Sequence, residues 1–170
     1  TLASSSAASD VYKRQVSGEA TKEEFQCYVE AANLAGKAIN ISKTTSPHAF
    51  SYSFTSEYSI PHGQAVWLTL PKIFEVHKNA IDSITQNIIN FKKLEDSIKE
   101  IINLLGINQI DISNELKNYV LSLGVECRME KLGLNTKSSR EQRARKVNLE
   151  RLKNNTVILT EKNICEIFNY

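Results

Sequence analysis

An all-α domain is the fold this chain predicts, on three observations. Apolar residues recur at helical spacing, as in Ile98, Ile101, Ile102 and Leu105. Glycine and proline are scarce, six and three in 170 residues, and the stretches between them are rich in Leu, Ile, Lys, Glu and Asn. No series of alternating apolar and polar residues marks out strands. The length suits one helical domain with an adequate core.

Each helix has its own local argument. The first spans Thr21 to Asn40: Thr21 can cap it, and Glu23 and Glu24 in its first turn favour the positive end of the dipole. Phe25, Val29, Ala32 and Gly36 then form a thin stripe suited to close packing. Ile41 to Ser46 has no period and reads as a loop. Pro47 suits the first turn of a short helix over His48 to about Ser56. Ser59-Ile60-Pro61 ends it, and another helix runs from His62 to about Lys78 with a kink at Pro71. Further on, the face of Ile98, Ile101, Ile102 and Leu105 ends at Gly106, a C-cap residue. Asp111 or Ser113 starts a helix carrying Leu116, Val120 and Leu123 that closes at Gly124. Residues 138–152 are charged before Val147, Leu149 and Leu152 give a narrow apolar edge. Thr160 with Glu161 opens a last helix bearing Ile164 and Ile167.

Residues 1–15 resemble a translated adapter junction and are set aside as a non-native or disordered N-terminal segment, leaving 16–170 as the helical domain. No apolar run is long enough to span a membrane, and no basic-then-apolar leader opens the chain. Cys27, Cys127 and Cys165 form no CxxC pair, so they read as thiols in a reducing compartment, and a cytoplasmic location is expected. With 21 Lys and Arg against 19 Asp and Glu, there is no electrostatic case for nucleic acid. The basic cluster from Arg140 to Lys153 is interrupted by Glu141 and Glu150 and lacks interleaved aromatics, so it reads as a solvated helix face.

Chemistry concentrates on histidine. His48 and His62 each follow a proline, in Ser-Pro-His-Ala-Phe and Ile-Pro-His-Gly-Gln, and so each lies near a predicted helix start. Two such starts can converge, and two neutral imidazoles make half of a divalent-metal site; by spacing alone, a structural or exposed pair is the alternative. His77, beside Glu75 and Lys78, reads as a solvated surface residue.

The block from Tyr28 to His77 resembles the C-terminal helical domain of iron-containing alcohol dehydrogenases, a dehydroquinate synthase-like bundle. The matching features are Leu34-Ala35-Gly36 in an Ala-rich helix, His48, Pro61-His62-Gly63, Ala65 and Leu70-Pro71. The resemblance implies an oxidoreductase that moves hydride between NADH or NADPH and a carbonyl, with a divalent metal, Fe2+ or Zn2+, as Lewis acid. It implies that His48 and His62 are the last two of four metal ligands. The other two, an Asp and a His, and the dinucleotide-binding domain belong upstream and are absent from this sequence, which also has no Gly-rich phosphate loop. On this reading the chain is a fragment, inactive alone.

Two departures from the common family pattern suggest more. Where many members carry a further His four residues after the first ligand, near the nicotinamide, this chain has Tyr52. A phenol there can donate a hydrogen bond or lie against the cofactor ring; equally, it can be a packed helix residue. The loop before His48 reads Lys43-Thr44-Thr45-Ser46 instead of small and Gly-rich. A cation and hydroxyls there suit an anionic substrate, or they cap the next helix. Together with Ala38-Ile39-Asn40 and Asn148 to Asn155, this is similar to the phosphonoacetaldehyde reductase branch, which reduces phosphonoacetaldehyde to 2-hydroxyethylphosphonate. The expected partner is thus a small aldehyde or alcohol, with Lys43, Thr44 and Thr45 holding a phosphonate, no nucleic acid and no membrane. Homo-oligomerisation stays open. The alternatives are a generic iron-containing alcohol dehydrogenase fragment and a non-catalytic helical interaction module.

Overall fold

The computed structural model describes residues 17–83, 91–134, 142, 147 and 149–169. Among these residues all regular structure is helical, as the periodicity predicts. In chain order the helices are α1 (Lys22–Ser42), α2 (Ser46–Tyr58), α3 (His62–Trp67), α4 (Leu70–Ser83), α5 (Phe91–Leu105) and α6 (Ile112–Ser122). A 3-10 turn (Met129–Leu132), the short α7 (Leu149–Leu152) and α8 (Glu161–Phe168) follow. No described helix is long and apolar enough to cross a membrane. The N-terminal segment 1–15 and most of the basic stretch 138–148 lie outside the described residues.

Local signals set the ends. Thr21 forms a capping box with Glu24, and Thr160 forms one with Asn163. Gly106 and Gly124 take φ of 66° and 77°, the left-handed conformation that suits glycine where a helix stops. Asp111 is the residue at the N-cap of α6.

Four expectations need correction. α1 runs through Ile41 to Ser42, so only Lys43 to Thr45 separates it from α2. The predicted helix from His62 to Lys78 is two helices broken at Leu68 and Thr69. Pro71 does not kink a helix interior; it is the second residue of α4, where its missing N–H would have had no intrahelical acceptor. The stripe of Phe25, Val29, Ala32 and Gly36 is not buried: Phe25 meets the Tyr28 ring of its own helix edge-on at 6.4 Å, α1 has no buried residue, and Phe25 and Val29 are 52% and 60% exposed. That stripe carries an Ala and a Gly, so it offers little apolar area to bury.

The main core lies between α2, α4, α6 and α8, around Phe50, Phe54, Ile73, Val120, Ile167 and Phe168. The Phe168 ring meets Phe50 edge-on at 5.2 Å and Phe54 at 5.6 Å, the contacts aromatic quadrupoles favour. A second cluster, Ile98, Ile102, Ile112 and Leu116, joins α5 to α6, and Trp67 packs against both. Buried Phe50 and Phe54 fix the rotation of α2, and this decides which way His48 faces.

Candidate metal centre

Ser46 and Pro47 begin α2 and are buried, so His48 follows as its third residue and is half-buried. Pro61 precedes α3, and His62 is its first residue. The two starts converge: the imidazole centroids of His48 and His62 lie 5.3 Å apart, with planes inclined at 55°. Tyr52, one turn after His48, brings its ring to 6.1 Å from that of His62 and is 47% exposed.

Electrostatics favour an uncharged His48. Burial, and then the neighbouring His62, hold the His48 imidazole below its ordinary range. A neutral imidazole can give a lone pair to a metal; an imidazolium cannot.

Ser51, fully buried, was not singled out from sequence, yet it acts on this pair. Its hydroxyl donates to the His48 carbonyl at 2.8 Å, and its Oγ lies 3.4 Å from Nδ1 of His62. A serine hydroxyl has one proton, already committed, so its oxygen accepts from Nδ1–H of His62. That tautomer leaves the lone pair on Nε2. The donor set therefore fits one half of a first-row metal site: two imidazoles, one with an acceptor oxygen beside its Nδ1. Among the described residues no group of three or more His, Cys, Asp or Glu could hold a metal.

The loop residues go elsewhere. Lys43 and Thr44 line a separate cleft of about 410 Å³ with Ile39, Asn40 and Asn154. Lys43 closes α1, its N–H donating to the Ile39 carbonyl at 2.9 Å, with φ of 64°, where a non-glycine residue is strained. Thr45 occupies the N-cap position of α2 but makes no side-chain cap bond, and it does not line the cleft. The structure thus brings His48, His62 and Tyr52 together, and Lys43 and Thr44 together, as two groups joined through Ser46.

His77 is not a solvated surface residue. It is half-buried, with Nε2 3.0 Å from Nδ2 of Asn155, and burial holds its imidazole below the ordinary range. Cys127 is buried, with its thiol pushed up by that burial, whereas Cys27 and Cys165 are exposed; none of the three is in a disulfide. A larger apolar cleft of about 790 Å³, lined by Pro61, Gly63, Trp67, Phe74 and Tyr119 among others, flanks α3. Its walls come from segments far apart in sequence, which periodicity cannot bring together.

A family model described as Fe-containing alcohol dehydrogenase family, C-terminal, matches residues 11–170, and it implies a metal and a nicotinamide cofactor for the family's enzymes. No curated protein and no solved structure matches the chain. With a match that runs to the last residue, on an all-helical fold, the chain belongs to the Fe-containing alcohol dehydrogenase family, in its C-terminal domain.

Proposed function

We propose that this chain is the metal-binding part of an NAD(P)H-dependent reductase, with phosphonoacetaldehyde as substrate and 2-hydroxyethylphosphonate as product. The observation that carries the reading is the convergence of His48 and His62 at two helix starts, 5.3 Å apart, with the Ser51 hydroxyl oxygen 3.4 Å from Nδ1 of His62. When bound, the ion supplies Lewis acidity to the carbonyl oxygen as hydride reaches the carbonyl carbon. His48 and His62 would contribute two neutral nitrogen donors, and the remaining donors and the nicotinamide site would come from outside this sequence. Tyr52, exposed beside His62, would line the cofactor side of the centre and donate a hydrogen bond there. Lys43 and Thr44 would hold the phosphonate: a cation and a hydroxyl share one cleft, at the loop that leads into the helix of His48.

Co2+ titration of the chain, followed by visible absorption or calorimetry, tests the metal reading. Weak binding is expected, weakened at least about tenfold in His48→Ala and in His62→Ala and by a similar factor in Ser51→Ala. Undiminished affinity in both histidine variants would overturn it. In the complete enzyme, Lys43→Ala should raise KM for phosphonoacetaldehyde about tenfold and leave that for propionaldehyde unchanged. Equal effects on both aldehydes would remove the phosphonate from the proposal and leave a generic alcohol dehydrogenase.

A further inference from the structure

The helix that carries His48 starts without a local cap. The Thr45 side chain makes no cap bond, and no acidic residue occupies the first turn. Such a start ordinarily frays, because its first N–H groups lack partners. Yet Ser46, the first residue of α2, is fully buried, and its hydroxyl donates to Oδ1 of Asn155 at 2.8 Å, a bond spanning 109 residues of sequence.

Asn155 is fully committed. Its Nδ2 donates to the Val157 carbonyl at 2.6 Å and stands 3.0 Å from Nε2 of His77 on α4. A carbonyl can only accept, so the Val157 contact fixes which end of the amide is nitrogen, leaving Oδ1 as the acceptor for Ser46. The remaining Nδ2 proton then meets the lone pair on Nε2 of a neutral His77, in keeping with that ring's burial. One side chain thus joins the first turn of α2, the middle of α4 and the turn before α8, with both amide protons and the carbonyl oxygen engaged.

We propose that Asn155 is a positioning residue for His48. It anchors the uncapped start of α2 with a long-range clamp, through Ser46 and His77, that fixes where the His48 ring stands relative to His62. The positioning role rests on reading His48 and His62 as metal-ligating residues; the clamp itself does not.

The test compares the wild-type chain, Asn155→Ala, Ser46→Ala and the double variant. Two readouts are used: amide hydrogen exchange by NMR, and Co2+ titration. The Ala49 amide, which closes the first turn of α2 on the Thr45 carbonyl at 3.1 Å, reports on the clamp. In Asn155→Ala its exchange should speed up about five- to tenfold, the worth of one buried hydrogen bond, while the amides of Leu116 and Val120 in α6 hold their wild-type rates. Ser46→Ala, the milder change, should reproduce the Ala49 effect, and the double variant should add little to either single one. Co2+ affinity should fall about five- to tenfold in both single variants. An unchanged Ala49 rate in Asn155→Ala, full additivity in the double variant, or wild-type Co2+ affinity without the clamp would each overturn the proposal. A wild-type chain that binds no Co2+ but shows the coupled exchange effects would instead bring down the metal reading and leave the clamp in place.

Discussion

Helices α1 and α2 are separated by three residues and are held by opposite means. α1 is 21 residues long, has a capping box, and buries none of its side chains. α2 is 13 residues long, has no side-chain cap, and buries six residues, including Phe50 and Phe54. The difference lies in where the apolar residues fall. Phe25, Val29 and Ile39 share one side of α1, but Ala32 and Gly36 between them leave that side little apolar area, and Leu34 lies opposite. In α2, Ala49, Phe50 and Phe54 point one way, with small Ser46 and Ser51 between them and neighbouring segments. α1 thus carries its own cap and little packing, whereas α2 is fixed by what packs on it and by Asn155.

That contrast can be broken by experiment. Phe50→Ala should cost about 3–5 kcal/mol of global stability, and Phe25→Ala should stay within about 0.5 kcal/mol. Urea unfolding of both variants checks this, and equal losses would mean that α1 is packed after all. Removing the α1 cap by Thr21→Ala should cost about 1 kcal/mol, confined to that helix. Far-UV circular dichroism should lose helical signal while the cooperative midpoint, set by the core, holds.

A third prediction separates the regions by titration. His48 and His77 both lie below the ordinary value of 6.5, His48 through burial and then His62, His77 chiefly through burial. The unfolded chain therefore takes up protons first as pH falls, so stability is complete above about pH 6.5 and declines toward the lowered folded-state values. Urea midpoints at pH 7.5, 6.0 and 5.0 should fall in that order. The α1 signal should not follow them, since α1 has no histidine. Smallest of all, Leu34→Glu on the exposed side of α1 should leave the urea midpoint within about 0.5 kcal/mol of wild type.

What the sequence disclosed and what it hid divide along the same line. The proline-histidine pairs marked two helix starts, Gly106 and Gly124 marked two ends, and Ile98 with Ile102 marked a buried face, because each signal lies within a few residues. Whether a stripe is covered depends on a partner elsewhere, and the exposed α1 shows how helical spacing alone misleads. The same holds for His77, read from Glu75 and Lys78 beside it but held by Asn155, 78 residues away. The break at Leu68 and Thr69 has no local signal of its own, since neither residue is a glycine or a proline. Ser51 was invisible for a simpler reason: one buried serine in a Ser-rich helix has no pattern of its own.

The turn at Lys43 has a mechanical meaning. A helix of 21 residues is an arm about 31 Å long, rising about 1.5 Å per residue. Its root is a single residue with φ of 64°, next to the buried and clamped Ser46. A rotation of only about 5° at that root would carry the far end of the arm through roughly 3 Å and leave the His48 end where it stands. Force applied anywhere along α1 is thus delivered with leverage to Lys43, at the lip of the polar cleft it shares with Asn40 and Asn154.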